Sequence, residues 1–106
     1  MTIYVLNTPI LTDWGTYIFT PLSLGEVIKK LRSYPFVSAI GHEGTANLLF
    51  RLTGMPTPVS RVPIKMAVGD TAIVFRLLNR LPEGKILSED ELKQLPYEFG
   101  ILRKVD

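Results

Sequence analysis

His42 is the only histidine in the chain and there is no cysteine, so a single imidazole is the one side chain that titrates near neutrality without help. It lies in Gly41-His42-Glu43-Gly44-Thr45, directly ahead of a helical pattern, and Gly41 permits a sharp entry. A helix start leaves backbone N–H groups without intrahelical partners. Those of Glu43, Gly44 and Thr45 would point at whatever lies beside the ring, which makes the place attractive to an anion. An imidazole next to a held phosphate is poised to give up a proton. The same position also suits a surface or helix-capping histidine that does no chemistry.

Arg61, Arg76, Arg80 and Lys85 supply further anion-binding candidates, arginine being matched to phosphate by its planar fork. Alternation along Thr71–Leu78 sets Arg76 on the face of Val74 and Leu78. Arg76 then either reads a ligand, lies at a strand end in solvent, or pairs with Asp70 or Glu83. Glu83, in Pro82-Glu83-Gly84, is either a solvated turn acid or the carboxylate that orients His42 or an arginine. Asn7 closes the first β-rich segment and is either a simple turn residue or a base or sugar reader, strand-end loops being common ligand sites. No cofactor or metal is expected. Without cysteine and with one histidine, thiolate nucleophiles, iron–sulfur clusters and zinc sites of the usual ligand sets are excluded within one chain. The acids show no spacing for a carboxylate cage. Neither GxxxxGK nor GxGxxG occurs, so triphosphate and dinucleotide chemistry have no motif behind them.

These residues need elements to hold them. Residues 2–6 read as a strand ending at Asn7-Thr8-Pro9, and Trp14–Thr20 reads as a second. Ser23-Leu24-Gly25-Glu26 is a capping box, followed by Leu24, Val27, Ile28 and Leu31 on one helical stripe that Pro35 must stop. Phe36–Ile40 is a short apolar run that delivers the chain to Gly41-His42. From Glu43 to Thr53 the pattern is helical, with Ala46, Leu49, Phe50 and Thr53 on one face and Gly54 as a stop signal. Arg61–Met66 and Thr71–Leu78 read as a hairpin turning through Val68-Gly69-Asp70. Ser88-Glu89-Asp90-Glu91 repeats the capping box and Pro96 ends its helix, leaving Tyr97–Val105 as a closing strand. Strands interleaved with helices imply one α/β (α+β) domain: a mixed β-sheet of about five strands flanked by helices.

With 106 residues, 46% hydrophobic and 21% charged, the chain is sized for one domain over residues 1–106 and can bury a core without disulfides. No signal peptide or run of about 18 apolar residues is visible, so a cytoplasmic protein without a membrane partner is expected. The net charge of +2 averages over unlike regions. From Lys29 to Lys85 there are nine basic and three acidic residues, and the acidic flanks mask that excess.

Ala39-Ile40-Gly41-His42-Glu43-Gly44-Thr45, with Leu6-Asn7-Thr8, Ser60-Arg61-Val62 and Arg80-Leu81-Pro82-Glu83-Gly84-Lys85 in the same order, resembles the viral ring nuclease family of anti-CRISPR proteins and their cellular CRISPR-associated homologues. The resemblance spans nearly the whole chain. It implies a two-fold homodimer that binds cyclic tetra-adenylate, the second messenger of type III CRISPR immunity. Cleavage would need no metal and would leave linear products with a 2′,3′-cyclic phosphate. It also implies that His42 is the catalytic acid, supported by Arg80 and Glu83, with Asn7, Thr8, Gly41, Gly44, Thr45, Arg61 and Arg76 as ligand-binding positions and no stable contact with duplex nucleic acid. Relatives often carry serine where this chain has Gly44, so only a backbone N–H is available there. The competing expectation is a non-catalytic regulatory protein that binds a cyclic oligoadenylate or nucleic acid through the same arginines, since phosphate affinity does not require chemistry.

Overall fold

A computed structural model describes residues 3–7, 13–60, 63–78 and 88–106. In chain order its elements are β1 (Ile3–Leu6), β2 (Tyr17–Leu22), α1 (Leu24–Ser33), β3 (Val37–Ser38), α2 (Glu43–Thr53), β4 (Thr71–Leu77), α3 (Glu89–Gln94) and β5 (Tyr97–Lys104). The strands form one mixed sheet in the order β2-β5-β4-β1-β3. β1 runs parallel to β3 and to β4, while β5 is antiparallel to both β4 and β2. The expected five-stranded α+β domain is therefore present.

Period-two alternation divides the sheet's side chains between two layers. Ile3, Val5, Ile73, Phe75 and Phe99 face one way, into a core shared with Val27 and Leu31 of α1, Ala46, Leu48 and Leu49 of α2, and Leu92 of α3. All three helices thus cover one face of the sheet. On the other face Leu6, Ala72, Val74 and Leu102 pack with Met66 and Ile64 from the irregular segment before β4. Each large aliphatic side chain fully removed from water contributes roughly 1.5–3 kcal/mol, so the helical layer carries most of the burial.

Local chemistry explains where the helices begin and end. Ser23 Oγ accepts from the Glu26 N–H at 3.2 Å, and Glu26 Oε1 accepts from the Ser23 N–H at 3.3 Å. The same reciprocal pair joins Ser88 and Glu91 at the head of α3. α2 stops at Gly54, whose φ of 73° is the left-handed conformation that glycine adopts at low cost. Its buried stripe is Thr45, Ala46, Leu48, Leu49 and Thr53. Phe50 lies off that stripe and is half exposed, a correction to the face expected from its spacing.

Two strand expectations also change. The expected hairpin is absent: the turn forms, with the Asp70 N–H donating to the Ala67 carbonyl at 2.9 Å, but the described residues 63–67 are not a strand. β4 already has β1 on one side and β5 on the other, so no position beside it remains. The second strand is shifted to Tyr17–Leu22, leaving Trp14 fully exposed. Pro21 is tolerated within it because β2 is an edge strand, where a missing N–H need not break a ladder. The apolar run before His42 is strand only at Val37–Ser38, extended by a parallel bridge between Ile40 and Val59.

Candidate functional site

Parallel strands finish at the same edge of a sheet, and three of the five strands here are mutually parallel. Val5 is in register with Ser38 and Leu6 with Val74. The chain therefore leaves β1 at Asn7, β3 toward Gly41-His42 and β4 at Leu78 along one edge, the usual location of ligand crevices in such sheets.

The short path from β3 to His42 is pinned on both sides. The Ala39 N–H donates to the Val5 carbonyl at 2.9 Å, and the Ser60 N–H donates to the Ile40 carbonyl at 2.9 Å. Ser38 Oγ donates to the Pro58 carbonyl at 2.6 Å. Ile40 is completely buried. Residues so fixed place His42 at the N-cap of α2 with φ −129° and ψ 123°, extended backbone that turns the ring across the first helical turn.

His42 performs the capping with its ring. The Thr45 N–H donates to Nδ1 at 3.3 Å, and the Thr45 hydroxyl lies 3.4 Å from the same nitrogen. Thr45 is buried whereas His42 is exposed. One ring nitrogen is thus engaged by the helix, and Nε2, on the far side of the ring, is left for other partners. The helix itself accepts the Ala46 N–H at the His42 carbonyl at 3.0 Å. The N–H groups of Glu43 and Gly44 have no intrahelical acceptor at this position in a helix, and Gly44 adds no side chain over them.

Of the other expected ligand-binding residues, Asn7 is half-buried one residue past β1, and Gly41 is half-buried beside His42. Thr45 is turned to the ring of His42. Arg76 is at the exposed end of β4, where its guanidinium meets Glu98 at 3.1 Å. Arg76 and Glu98 are directly opposite in the β4–β5 register. The Arg76 side chain stands at a solvent-exposed strand end, and any anion reaching it must compete with Glu98. Thr8, Arg61, Arg80, Glu83 and Lys85 lie outside the described residues.

Sequence reasoning did not identify Glu98, although it is an acid within an apolar strand. Recognising it as Arg76's partner requires the strand order. It also gave Thr45 only a ligand-binding role, where the N-cap-to-third-residue relation of a helix start was the available signal. A cavity of about 460 Å³ opens elsewhere, between β2, the head of α1 and the beginning of β5, lined by Phe19, Leu22, Leu24, Tyr97 and Phe99. It does not include His42. Among the described residues no three histidine, cysteine or acidic side chains come together as metal ligands, and no helix is long and apolar enough to cross a membrane.

Comparison with known proteins places this architecture. The chain is 34% identical to an uncharacterized protein, ORF117, of Acidianus two-tailed virus, over 97% of this chain and 93% of that one. It is 32% identical to the uncharacterized protein YddF of Bacillus subtilis (strain 168), covering 100% of both. Among solved structures, B116 of Sulfolobus turreted icosahedral virus superposes with a TM-score of 0.87 at 27% identity, covering 97% of this chain and 99% of that one. The family model described as STIV B116-like matches residues 3–99, and the chain belongs to that family.

Proposed function

We propose that this member of the B116-like family is a metal-independent ring nuclease that opens cyclic tetra-adenylate. The observation carrying this reading is the attitude of His42: Nδ1 is engaged by the first turn of α2, so Nε2 of an exposed ring is left for a ligand at a helix start whose first N–H groups lack intrahelical acceptors. Ring opening of this kind asks little else of a protein, because the substrate brings its own nucleophile. The ribose 2′-oxygen attacks the adjacent phosphorus, the P–O5′ bond breaks, and a 2′,3′-cyclic phosphate remains. The 2′-hydroxyl proton passes to water, and the His42 imidazolium gives its Nε2 proton to the departing 5′-oxygen. A well-placed acid contributes roughly 10²–10⁴-fold. The N–H groups of Glu43 and Gly44 would stabilise charge on the non-bridging oxygens.

The family resemblance supplies the remaining parts of the proposal. Arg80 and Glu83 would support the acid, while Asn7, Thr8 and Arg61 would hold the ring. Two copies related by a two-fold axis would present two His42 side chains to a ligand of matching symmetry, in the manner of an isologous interface. Relatives in archaeal viruses and in a bacterium are compatible with either use of the activity, blocking an immune signal or ending it, in the cytoplasm of an infected or signalling cell.

The deciding experiment incubates the purified protein with cyclic tetra-adenylate in EDTA. Linear products ending in a cyclic phosphate are expected, and their absence overturns the reading. His42→Ala should bind the ring normally and lose most turnover. Undiminished turnover would remove His42 from the chemistry, and tight binding without turnover in the unaltered protein would establish a sequestering binder instead.

A further inference from the structure

An amide N–H can only donate a hydrogen bond, so a ring nitrogen that receives one must carry a lone pair. The Thr45 N–H points at Nδ1 of His42 at 3.3 Å. In the neutral ring the single proton is therefore on Nε2, the nitrogen away from the helix. The Thr45 hydroxyl lies 3.4 Å from the same Nδ1 in a part-buried contact. Among the described residues it has no other partner. Unlike the amide, a hydroxyl can reverse its role. While the ring is neutral it shares the one Nδ1 lone pair with the amide, and it accepts from Nδ1–H once the ring is an imidazolium.

We infer that Thr45 is a positioning residue for His42, holding the ring in one orientation as Nδ1 gains and loses its proton, so that Nε2 faces outward and carries a proton both in the resting neutral ring and in the imidazolium. This rests on the ring nuclease reading and sharpens it. With Nε2 protonated in either state, His42 presents a donor to the ligand and no lone pair to a 2′-hydroxyl, which assigns it as the acid and leaves the 2′-oxygen to lose its proton to water. The cycle balances. The imidazolium releases its Nε2 proton to the 5′-oxygen while the Thr45 hydroxyl accepts from the proton retained on Nδ1. Nε2 then takes a proton from water, and loss of the Nδ1 proton to water restores the amide bond to that nitrogen.

Removing only the hydroxyl spares the amide. Thr45→Val keeps the branched shape and the backbone bond but leaves a charged ring without an acceptor at Nδ1. The expected result is a fall in kcat of about 10- to 100-fold, the range for losing a hydrogen bond to a charged group, with KM little changed, and recovery in Thr45→Ser. Nitrogen-15 spectra of the imidazole in alkaline buffer should show a protonated Nε2 and a bare Nδ1 in the unaltered protein. A protonated Nδ1 there, or full kcat in Thr45→Val, overturns the inference. The spectrum is independent of turnover: if the unaltered protein fails to open the ring, the functional reading falls while the nitrogen signals still decide how Thr45 holds His42.

Discussion

Arg76 and Glu98 sit directly opposite one another on β4 and β5, with their charged groups 3.1 Å apart and roughly half exposed. Cross-strand placement aligns the pair, yet water on both side chains limits what it contributes. A double-mutant cycle in which each residue is changed to alanine should give a coupling below about 1 kcal/mol in chemical denaturation. A larger value would mean that the pair is shielded more completely than its exposure allows.

His42 does two jobs that substitution can separate. Histidine is not a favoured N-cap, whereas asparagine is among the best. His42→Ala should cost roughly 1 kcal/mol of stability by uncapping α2. His42→Asn should match or exceed the unaltered protein in thermal melting while losing cyclic tetra-adenylate cleavage. A stable, inactive asparagine variant would show that the position is held by chemistry rather than by the helix.

Gly100 faces the ring of Phe19 across the β2–β5 pair, so closely that an added methyl group would overlap Cε1 and Cζ of that ring. Gly100→Ala should therefore destabilise by about 1–2 kcal/mol through overpacking. In a Phe19→Ala background the same change should cost much less, because the obstructing ring is gone. Equal costs in the two backgrounds, read by urea unfolding, would place the strain elsewhere.

Hydrogen bonds from the Ser23 side chain and backbone, with a smaller contribution from Lys30, hold the Glu26 carboxyl below the ordinary glutamate range. A carboxyl lowered in the folded state contributes stability above its unfolded value, and that contribution disappears as the pH falls through its folded value. Glu26→Gln keeps a neutral capping acceptor. The stability advantage of the unaltered protein over this variant should be largest near neutrality and shrink in acid. A difference that stays constant with pH would deny the carboxylate its part in capping α1.

Gly54 ends α2 at positive φ with open space around its Cα. Only backbone strain opposes a side chain there, so Gly54→Ala should lower stability by about 1 kcal/mol. Gly54→Asn should lower it less, since asparagine tolerates the left-handed region. Comparison of the two melting curves separates conformational strain from crowding.

What could be read in advance follows the range of the interactions. Ser23 with Glu26, Ser88 with Glu91, and Gly54 after Thr53 act within a single turn, so the ends of α1, α2 and α3 were legible as residue patterns. His42 at the head of α2 was legible for the same reason. The pairing of β4 was not, because nothing near Thr71–Leu77 in the chain specifies that β1 and β5 would occupy both its edges. That nonlocal outcome displaced the expected hairpin and supplied Glu98 to Arg76. Phe50 shows a smaller version of the effect: its spacing suited the core, but the approach of the sheet selected the neighbouring stripe through Leu48.

The placement of β1 has a consequence for the order in which the molecule can form. Ile3–Leu6 precedes every other described strand in the chain, yet it lies inside the sheet between β3 and β4. Ile3 meets Thr71, and Leu6 meets Val74, each across a separation of 68 positions in the chain. The other neighbour of β4 is β5, the last of the described strands. Folding therefore waits on chain closure over long separations, the slow class of topology, and until β4 is in place β1 has only the two-residue β3 to pair with.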